Sequence, residues 1–72
     1  MTQYLVVIEQ SPQGFGAYVP DLPGCVTAGS SQDEVLQLIR EAIEMHIEAM
    51  VKDGESVPTP ASRAALVKIG VT

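Results

Sequence analysis

Residues 18–29 read YVPDLPGCVTAG, a loop-forming segment with extended chain on either side. Pro20 and Pro23 bracket the loop, and Gly24 follows the second proline. Pro23 suits position i+1 of a type II turn and Gly24 suits position i+2, because glycine accepts the positive φ that this position needs. The segment therefore predicts a strand, a proline-bounded turn and another strand in succession.

Short runs with the composition of strands surround this loop. Residues 4–9 are dominated by β-branched and other apolar side chains in a run too short for a helix, and residues 11–14 (SPQG) form a turn signal. Residues 15–19 alternate as a second strand, and residues 25–28 suit a short third strand. The first two strands are predicted to pair as a hairpin.

Residues 31–34 (SQDE) are a capping box, which predicts the start of a helix. In a capping box the Ser31 hydroxyl accepts from the Glu34 amide, and the Glu34 carboxylate accepts from the Ser31 amide. Asp53-Gly54 supplies a stop, so the helix is predicted over residues 32–53. At about 100° per residue its apolar stripe is unusually wide. The stripe comprises Val35, Ile39, Ala42, Ile43, His46 and Met50, with Leu36 and Ile47 on one border and Leu38, Met45 and Ala49 on the other.

The chain after the helix divides into a connector and a last element. Residues 55–62 contain two prolines and are predicted to be extended, because the residue before a proline avoids the helical region. Residues 65–71 alternate again and predict a final strand. The whole chain, residues 1–72, is then one α+β domain with the order β-β-β-α-β: an antiparallel three-strand meander, a crossover helix and a fourth strand. Its core spans about residues 3–53.

The size of the domain predicts self-association. A chain of 72 residues is small for an independent core, and its one cysteine excludes an intramolecular disulfide. The first predicted strand is apolar on both faces, although one helix covers only one face of a sheet. We therefore expect a homodimer or larger homo-oligomer. Its interface would be either Leu38, Met45 and Ala49 at one border of the helix stripe or Leu5 and Val7 on the far face of the sheet, although scattered surface apolar residues are also common.

The charge favours a protein partner. The chain has nine acidic and four basic residues and a net charge of −5, which disfavours nonspecific binding to nucleic acid and to anionic membranes. A basic protein would be attracted to it. The candidate contact residues are Asp21, Leu22, Glu41, Glu44 and Glu48. Plainer interpretations of the acidic residues stay open, because glutamates on a helix are often simply solvated and aspartate is a common turn residue.

Catalytic chemistry has little support in the sequence. Cys25 and His46 are the single thiol and the single imidazole, but Cys25 reads as a small buried apolar residue and His46 lies on the apolar helix stripe. No spacing of His, Cys, Asp or Glu forms a recognisable metal-ligand set. We predict no catalytic residue, no cofactor and no metal, while a titrating His46 at an interface stays open. Residues 1–10 lack the basic start of a signal peptide, so we expect a cytoplasmic protein.

Three features occur together: the loop segment 18–29, the capped acidic helix after it, and VPTPAS at residues 57–62. In these features, over about residues 4–62, the sequence resembles the HicB-type antitoxins and their small stand-alone relatives. The resemblance implies a partial RNase H-like fold and the binding of a small basic HicA-type toxin. Such toxins are mRNA-cleaving ribonucleases, and the antitoxin covers their catalytic face.

Many HicB-type antitoxins carry a further C-terminal domain that binds operator DNA. Only ten residues follow Ser62, too few for such a domain, so we expect no autonomous operator binding. The function that the resemblance implies is an antitoxin-like module, without enzymatic activity, that neutralises a HicA-type toxin. The alternative is a stand-alone structural or oligomerisation module of the same family with no toxin partner.

Overall fold

The structure is a computed structural model that describes residues 2–71. Within this range it contains three strands and one helix: β1 (Val7–Ser11), β2 (Gly14–Tyr18), β3 (Val26–Gly29) and α1 (Gln32–Lys52). The strands form an antiparallel sheet in the order β1-β2-β3. The α+β class and the β-β-β-α part of the predicted order are therefore confirmed.

The strand β1 starts three residues later than the sequence predicts. Val7 pairs with Tyr18, the last residue of β2. Beyond that point the N–H of Val19 donates to the carbonyl of Cys25 over 3.1 Å, and Pro20 has no N–H. The residues before Val7 therefore lack a ladder partner on β2. The bounds of β2 and β3 agree with the predicted ones to within one residue.

The proline-bounded loop folds inward. The N–H of Leu22 donates to the Val19 carbonyl over 3.1 Å, and its own carbonyl accepts from Cys25 N–H over 3.0 Å. Gly24 has φ +86°, which confirms the type II turn. The Leu22 side chain is 0% exposed. The prediction that Leu22 contacts a partner is therefore wrong, because the turn directs this side chain into the core.

The start of α1 confirms the capping box with one change of partner. The Ser31 hydroxyl accepts from the Glu34 N–H over 3.1 Å, as predicted. The Glu34 carboxylate accepts from the N–H of Ser30, over 2.7 Å, and not from the Ser31 amide. Gly29 makes this possible, because a Cβ at that position would collide with the Glu34 carboxylate. At the other end, the helix stops at Asp53 as predicted, and Gly54 has φ +74°.

The core lies between the sheet and α1, which packs mainly on β2 and β3. Its buried members are Ala17, Val19, Leu22, Cys25, Val35 and Ile39, and the half-buried side chains packed against them are Tyr4, Val6, Ile8, Phe15, Ala42, Ile43 and Ile47. Val35, Ile39, Ala42 and Ile43 of the predicted helix stripe belong to this set, and Ile47 joins it from the border of the stripe. Alternation then places Leu5 and Val7 on the opposite face of the sheet.

The predicted fourth strand is absent from the described residues. Residues 55–71 have no regular secondary structure. Alternating apolar residues suit a strand, but a strand forms only where its backbone groups meet a neighbouring ladder. The segment 63–71, called the C-terminal tail below, is exposed throughout, and within residues 2–71 its one backbone hydrogen bond joins Val71 N–H to the Ile69 carbonyl over 2.9 Å. The prediction of a strand at 65–71 is therefore wrong for the isolated chain.

Candidate partner-binding surfaces

Asp21 ties the proline connector to the body of the domain. Its Oδ2 accepts from the N–H groups of Ala61 and Ser62, each over 3.0 Å, and its Oδ1 accepts from the Ser62 hydroxyl over 2.8 Å. The backbone N–H of Ser62, then that of Ala61 and then the Ser62 hydroxyl hold the pKa of Asp21 below its ordinary value. We call this arrangement the Asp21 clasp. The carboxylate that the sequence suggests for a partner is engaged within the chain.

A second tether lies further back along the connector. The Tyr4 hydroxyl donates to the carbonyl of Pro58 over 2.6 Å. Tyr4 and Pro58 are 54 residues apart, and Asp21 and Ser62 are 41 apart. No local sequence signal announces either contact, because both join segments that only the folded chain brings together. Together they determine where the C-terminal tail leaves the domain.

The outer face of α1 is acidic with an apolar border. Glu41, Glu44 and Glu48 are exposed and lie within an arc of about 60°. Gln37 Nε2 donates to Glu41 Oε2 over 3.1 Å. One border of this face consists of three exposed side chains, Leu38, Met45 and Ala49, of which Met45 is 69% exposed. This combination of apolar and acidic groups is suited to a partner that is itself basic and partly apolar.

The face of the sheet opposite α1 carries a second apolar surface. Val7 pairs with Tyr18, and Tyr18 pairs with Val26, so these three side chains form one row across the sheet. Tyr18 is 39% exposed and Val26 is 65% exposed. Leu5 is half-buried and precedes β1 by two residues, and the same alternation continued beyond the strand puts it on the face of Val7. The two alternative interfaces that the sequence suggests therefore lie apart, Leu5 and Val7 on the open sheet face and Leu38, Met45 and Ala49 on the border of α1.

A groove of about 320 Å³ runs between the segment before β1 and the helix. Most of its lining is apolar, and Arg40 and Glu44 stand at it with opposite charges. The apolar residues along it are Tyr4, Val6, Leu36, Ile39 and Ile43. From the helical period alone Leu36 lies only on a border of the apolar stripe, because the groove forms once the chain before β1 lies beside α1.

The geometry favours binding over bond-making chemistry. Cys25 is buried, and desolvation raises the pKa of its thiol, so little of the reactive thiolate forms near neutral pH. His46 is half-buried on α1. In residues 2–71 no three His, Cys, Asp or Glu side chains are grouped so as to hold a metal ion. Across the same residues no helix has both the length and the apolarity that crossing a bilayer demands.

Comparison with known proteins agrees with this architecture. The family model described as the HicB_like antitoxin of bacterial toxin-antitoxin systems matches residues 4–69. An uncharacterised 14.9 kDa protein of Haemophilus phage HP1 is 42% identical over 55 residues, which are 76% of this chain and 41% of that protein, so the chain spans less than half of this relative. A UPF0150 protein of Archaeoglobus fulgidus is 40% identical over 58 residues, covering 76% of this chain and 84% of that protein.

A solved structure gives the same result for the fold. A chain of a complex titled "HicA3 and HicB3 toxin-antitoxin complex" is similar with a TM-score of 0.70 and 33% sequence identity. The similarity covers 83% of this chain and 70% of that chain.

Proposed function

This chain belongs to the HicB-like antitoxin family of bacterial toxin-antitoxin systems, and on that premise we propose that it binds and neutralises a small basic toxin of the HicA type. In this proposal the chain covers the toxin face that engages mRNA. It acts by binding alone, in the cytoplasm where toxin and mRNA meet. The observation that carries the proposal is the similarity, at 33% identity and a TM-score of 0.70, to a chain from a HicA3 and HicB3 complex.

The acidic outer face of α1 is the surface that we assign to the toxin. An mRNA-cleaving protein needs an electropositive face for phosphates, and an acidic surface of matching shape competes for it. Glu41, Glu44 and Glu48 supply the charge, while Met45 supplies exposed apolar area at its border. Asp21 is not included, because its carboxylate is occupied by the connector.

The test is calorimetric titration of the chain with the small basic protein encoded next to it. We expect a tight complex whose affinity falls as the salt concentration rises, because salt screens the attraction between opposite charges. A titration without heat at several temperatures, together with no change in the toxin's RNA cleavage, would remove the proposal. The family alternative, an oligomerisation module without a toxin, would then remain.

A pair of matched variants locates the surface. The test variant combines Glu41→Gln, Glu44→Gln and Glu48→Gln, and the control combines Glu9→Gln, Asp53→Asn and Glu55→Gln. Both remove three negative charges from exposed positions, so their net charges are identical. We expect the helix variant to weaken toxin binding about tenfold or more and the control to change it about twofold or less. Equal effects would mean that only net charge matters and would reject the assigned surface.

The non-enzymatic role is tested in the same assay. Labelled RNA is incubated with the chain alone in the presence of magnesium or manganese, and we expect no cleavage. In parallel, RNA is incubated with the toxin, and adding the chain should stop cleavage at equimolar ratio. Turnover of RNA by the chain alone would contradict a role by binding only.

A further inference from the structure

The C-terminal tail has the composition of a buried strand but lies in solvent. Its sequence, residues 63–71, reads RAALVKIGV. Leu66 is 104% exposed, Val67 77%, Ile69 76% and Val71 79%. Isolated exposed apolar residues are ordinary, but four large ones within six residues form a continuous apolar segment. Nearly all the backbone groups of the tail are also free to join a ladder, since its one hydrogen bond within the described chain is that of Val71.

The tail is charged oppositely to the rest of the domain. Arg63 and Lys68 are two of the four basic residues of the chain, and the tail has no acidic residue. All nine acidic residues precede residue 56. A tail is therefore attracted electrostatically to the body of any copy of the same protein.

The tail leaves the domain from a point fixed by two contacts and projects from it. The Asp21 clasp fixes Ser62, the residue before the tail, and the Tyr4 tether fixes Pro58. The radius of gyration is 14.4 Å, compared with about 11 Å for a compact domain of this length. The longest dimension is 52 Å, about twice the next one, 27 Å. The chain therefore has an extended outline of the kind that a projecting tail produces.

The edge of β1 can receive such a segment. β1 and β3 are the two outer strands of the described sheet, so each has a free row of backbone groups. The helix packs mainly over β2 and β3, and beside the chain that leads into β1 lies the apolar groove of about 320 Å³. The β1 edge itself spans five residues, Val7–Ser11, and five of the nine tail residues suffice to pair along it.

We propose that the C-terminal tail of one copy adds as a strand to the β1 edge of a second copy, and that two copies exchange tails in a symmetric dimer. In a strand, Val67, Ile69 and Val71 share one face, which enters the groove between Val6 and the helix residues Leu36 and Ile43. Leu66 and Lys68 share the other face, which continues the open sheet face of Leu5, Val7 and Glu9. Lys68 then lies on the side that carries the Glu9 carboxylate.

Exchange pairs the tail and the β1 edge of each copy at once. Every copy offers one tail and one β1 edge, so a two-fold arrangement closes without leaving either exposed. The dimer assigns Leu5 and Val7 to self-association and leaves Glu41 and Glu48 free, while Glu44 stands beside the groove that the tail enters. Self-association and toxin binding are measured separately, the first by mass in the absence of toxin and the second by titration, so each proposal can fail without the other.

The first test is the mass of the full chain in solution, measured by multi-angle light scattering at micromolar concentrations. We expect the wild type at twice its chain mass of 7.6 kDa. Val67→Glu places a charge in the apolar contact and should raise the dimer dissociation constant at least about a hundredfold. Val26→Glu is the matched control, because Val26 is a similarly exposed valine, 65% against 77%, on the far edge of the sheet.

Three outcomes of this measurement would overturn the proposal. A wild-type chain that stays at 7.6 kDa has no such dimer. A Val67→Glu variant that stays dimeric shows that the tail is outside the interface. Loss of the dimer in Val26→Glu would place the contact on the open sheet face instead.

A cross-linking experiment separates exchange from folding back. Two double variants place thiols on the same face of neighbouring strands: Leu5→Cys/Leu66→Cys and Val7→Cys/Leu66→Cys. The first suits a register with residue 66 opposite residue 5, and the second suits a register with residue 66 opposite residue 7. In its own register each pair of thiols is close enough for a disulfide. Tail exchange gives a covalent dimer under mild oxidation, with Val26→Cys/Leu66→Cys as the control that does not cross-link. A disulfide within a single chain, without a covalent dimer, would mean that the tail pairs with its own β1 and would overturn the proposal.

Discussion

Leu22→Ala is the substitution that best tests the inward folding of the proline-bounded loop. Leu22 is 0% exposed and belongs to the core with Val35 and Ile39. Removing three carbons from a buried site costs about 2.4 kcal/mol at about 0.8 kcal/mol for each carbon, and the cavity left behind raises the cost to about 3–5 kcal/mol. A domain of 72 residues has a total stability of about 4–11 kcal/mol. The substitution therefore removes a large share of that stability.

The assay is urea unfolding followed by far-ultraviolet circular dichroism at one fixed protein concentration, because self-association makes stability depend on concentration. Leu38→Ala is the matched control, since Leu38 is 37% exposed at the border of α1. We expect the control to cost about 1 kcal/mol or less. The urea dependence of the unfolding free energy should stay unchanged in both variants, so that the midpoints report stability directly.

A loss of unfolding free energy in Leu22→Ala no larger than that in Leu38→Ala would contradict the burial of Leu22. Such a result would mean that the loop is open in solution, and Leu22 would again be a candidate contact for a partner. If the loop is closed, a Leu22→Ala chain that is still folded at low temperature should bind its toxin with an affinity within about threefold of the wild type.

Three further predictions concern single hydrogen-bonding groups. The N–H donors of the clasp hold the pKa of Asp21 below its ordinary value of 3.8, so the clasp stabilises the fold above that value and weakens as pH falls through the lower folded-state pKa. A carboxyl titration followed by nuclear magnetic resonance should therefore have its midpoint below 3.8, and a midpoint at or above it would contradict the clasp. Ser31→Ala removes the side-chain acceptor at the start of α1 and should lower the unfolding free energy by about 1 kcal/mol, whereas an unchanged urea midpoint would exclude the cap. Thr27 Oγ1 is buried without a hydrogen-bond partner among the described residues, so Thr27→Val should raise the unfolding free energy by about 1 kcal/mol; a loss of that size would show that the hydroxyl has a partner in solution.

Local sequence signals account for most of the secondary structure. The turn at Pro23-Gly24 forms as predicted, and so does the helix cap at Ser31. Each of these features depends on residues within a few positions of one another, so their backbone preferences act in the same way in any tertiary context. The acidic face of α1 is equally predictable, because the helical period alone places Glu41, Glu44 and Glu48 together.

Two predictions failed where the outcome depended on a distant part of the chain. The alternation at residues 65–71 suits a strand, but no ladder lies beside it in the isolated chain. Leu22 lies in a loop, and it is buried because the folded chain brings it into the core with Val35 and Ile39 of α1. In both cases the outcome was set by which groups the folded chain brings within reach.

The amino-acid sequence alone was enough to specify the three-stranded meander, the capped helix, the net negative charge and the family resemblance. The meander, the helix and the charge follow from composition and from preferences between near neighbours, and the resemblance follows from motifs at residues 18–29 and 57–62 that match those of the family. The tertiary structure alone revealed the Asp21 clasp, the Tyr4 tether, the groove beside β1 and the unpaired tail. The clasp and the tether join residues as far as 54 positions apart, and no short-range preference encodes a contact over that separation.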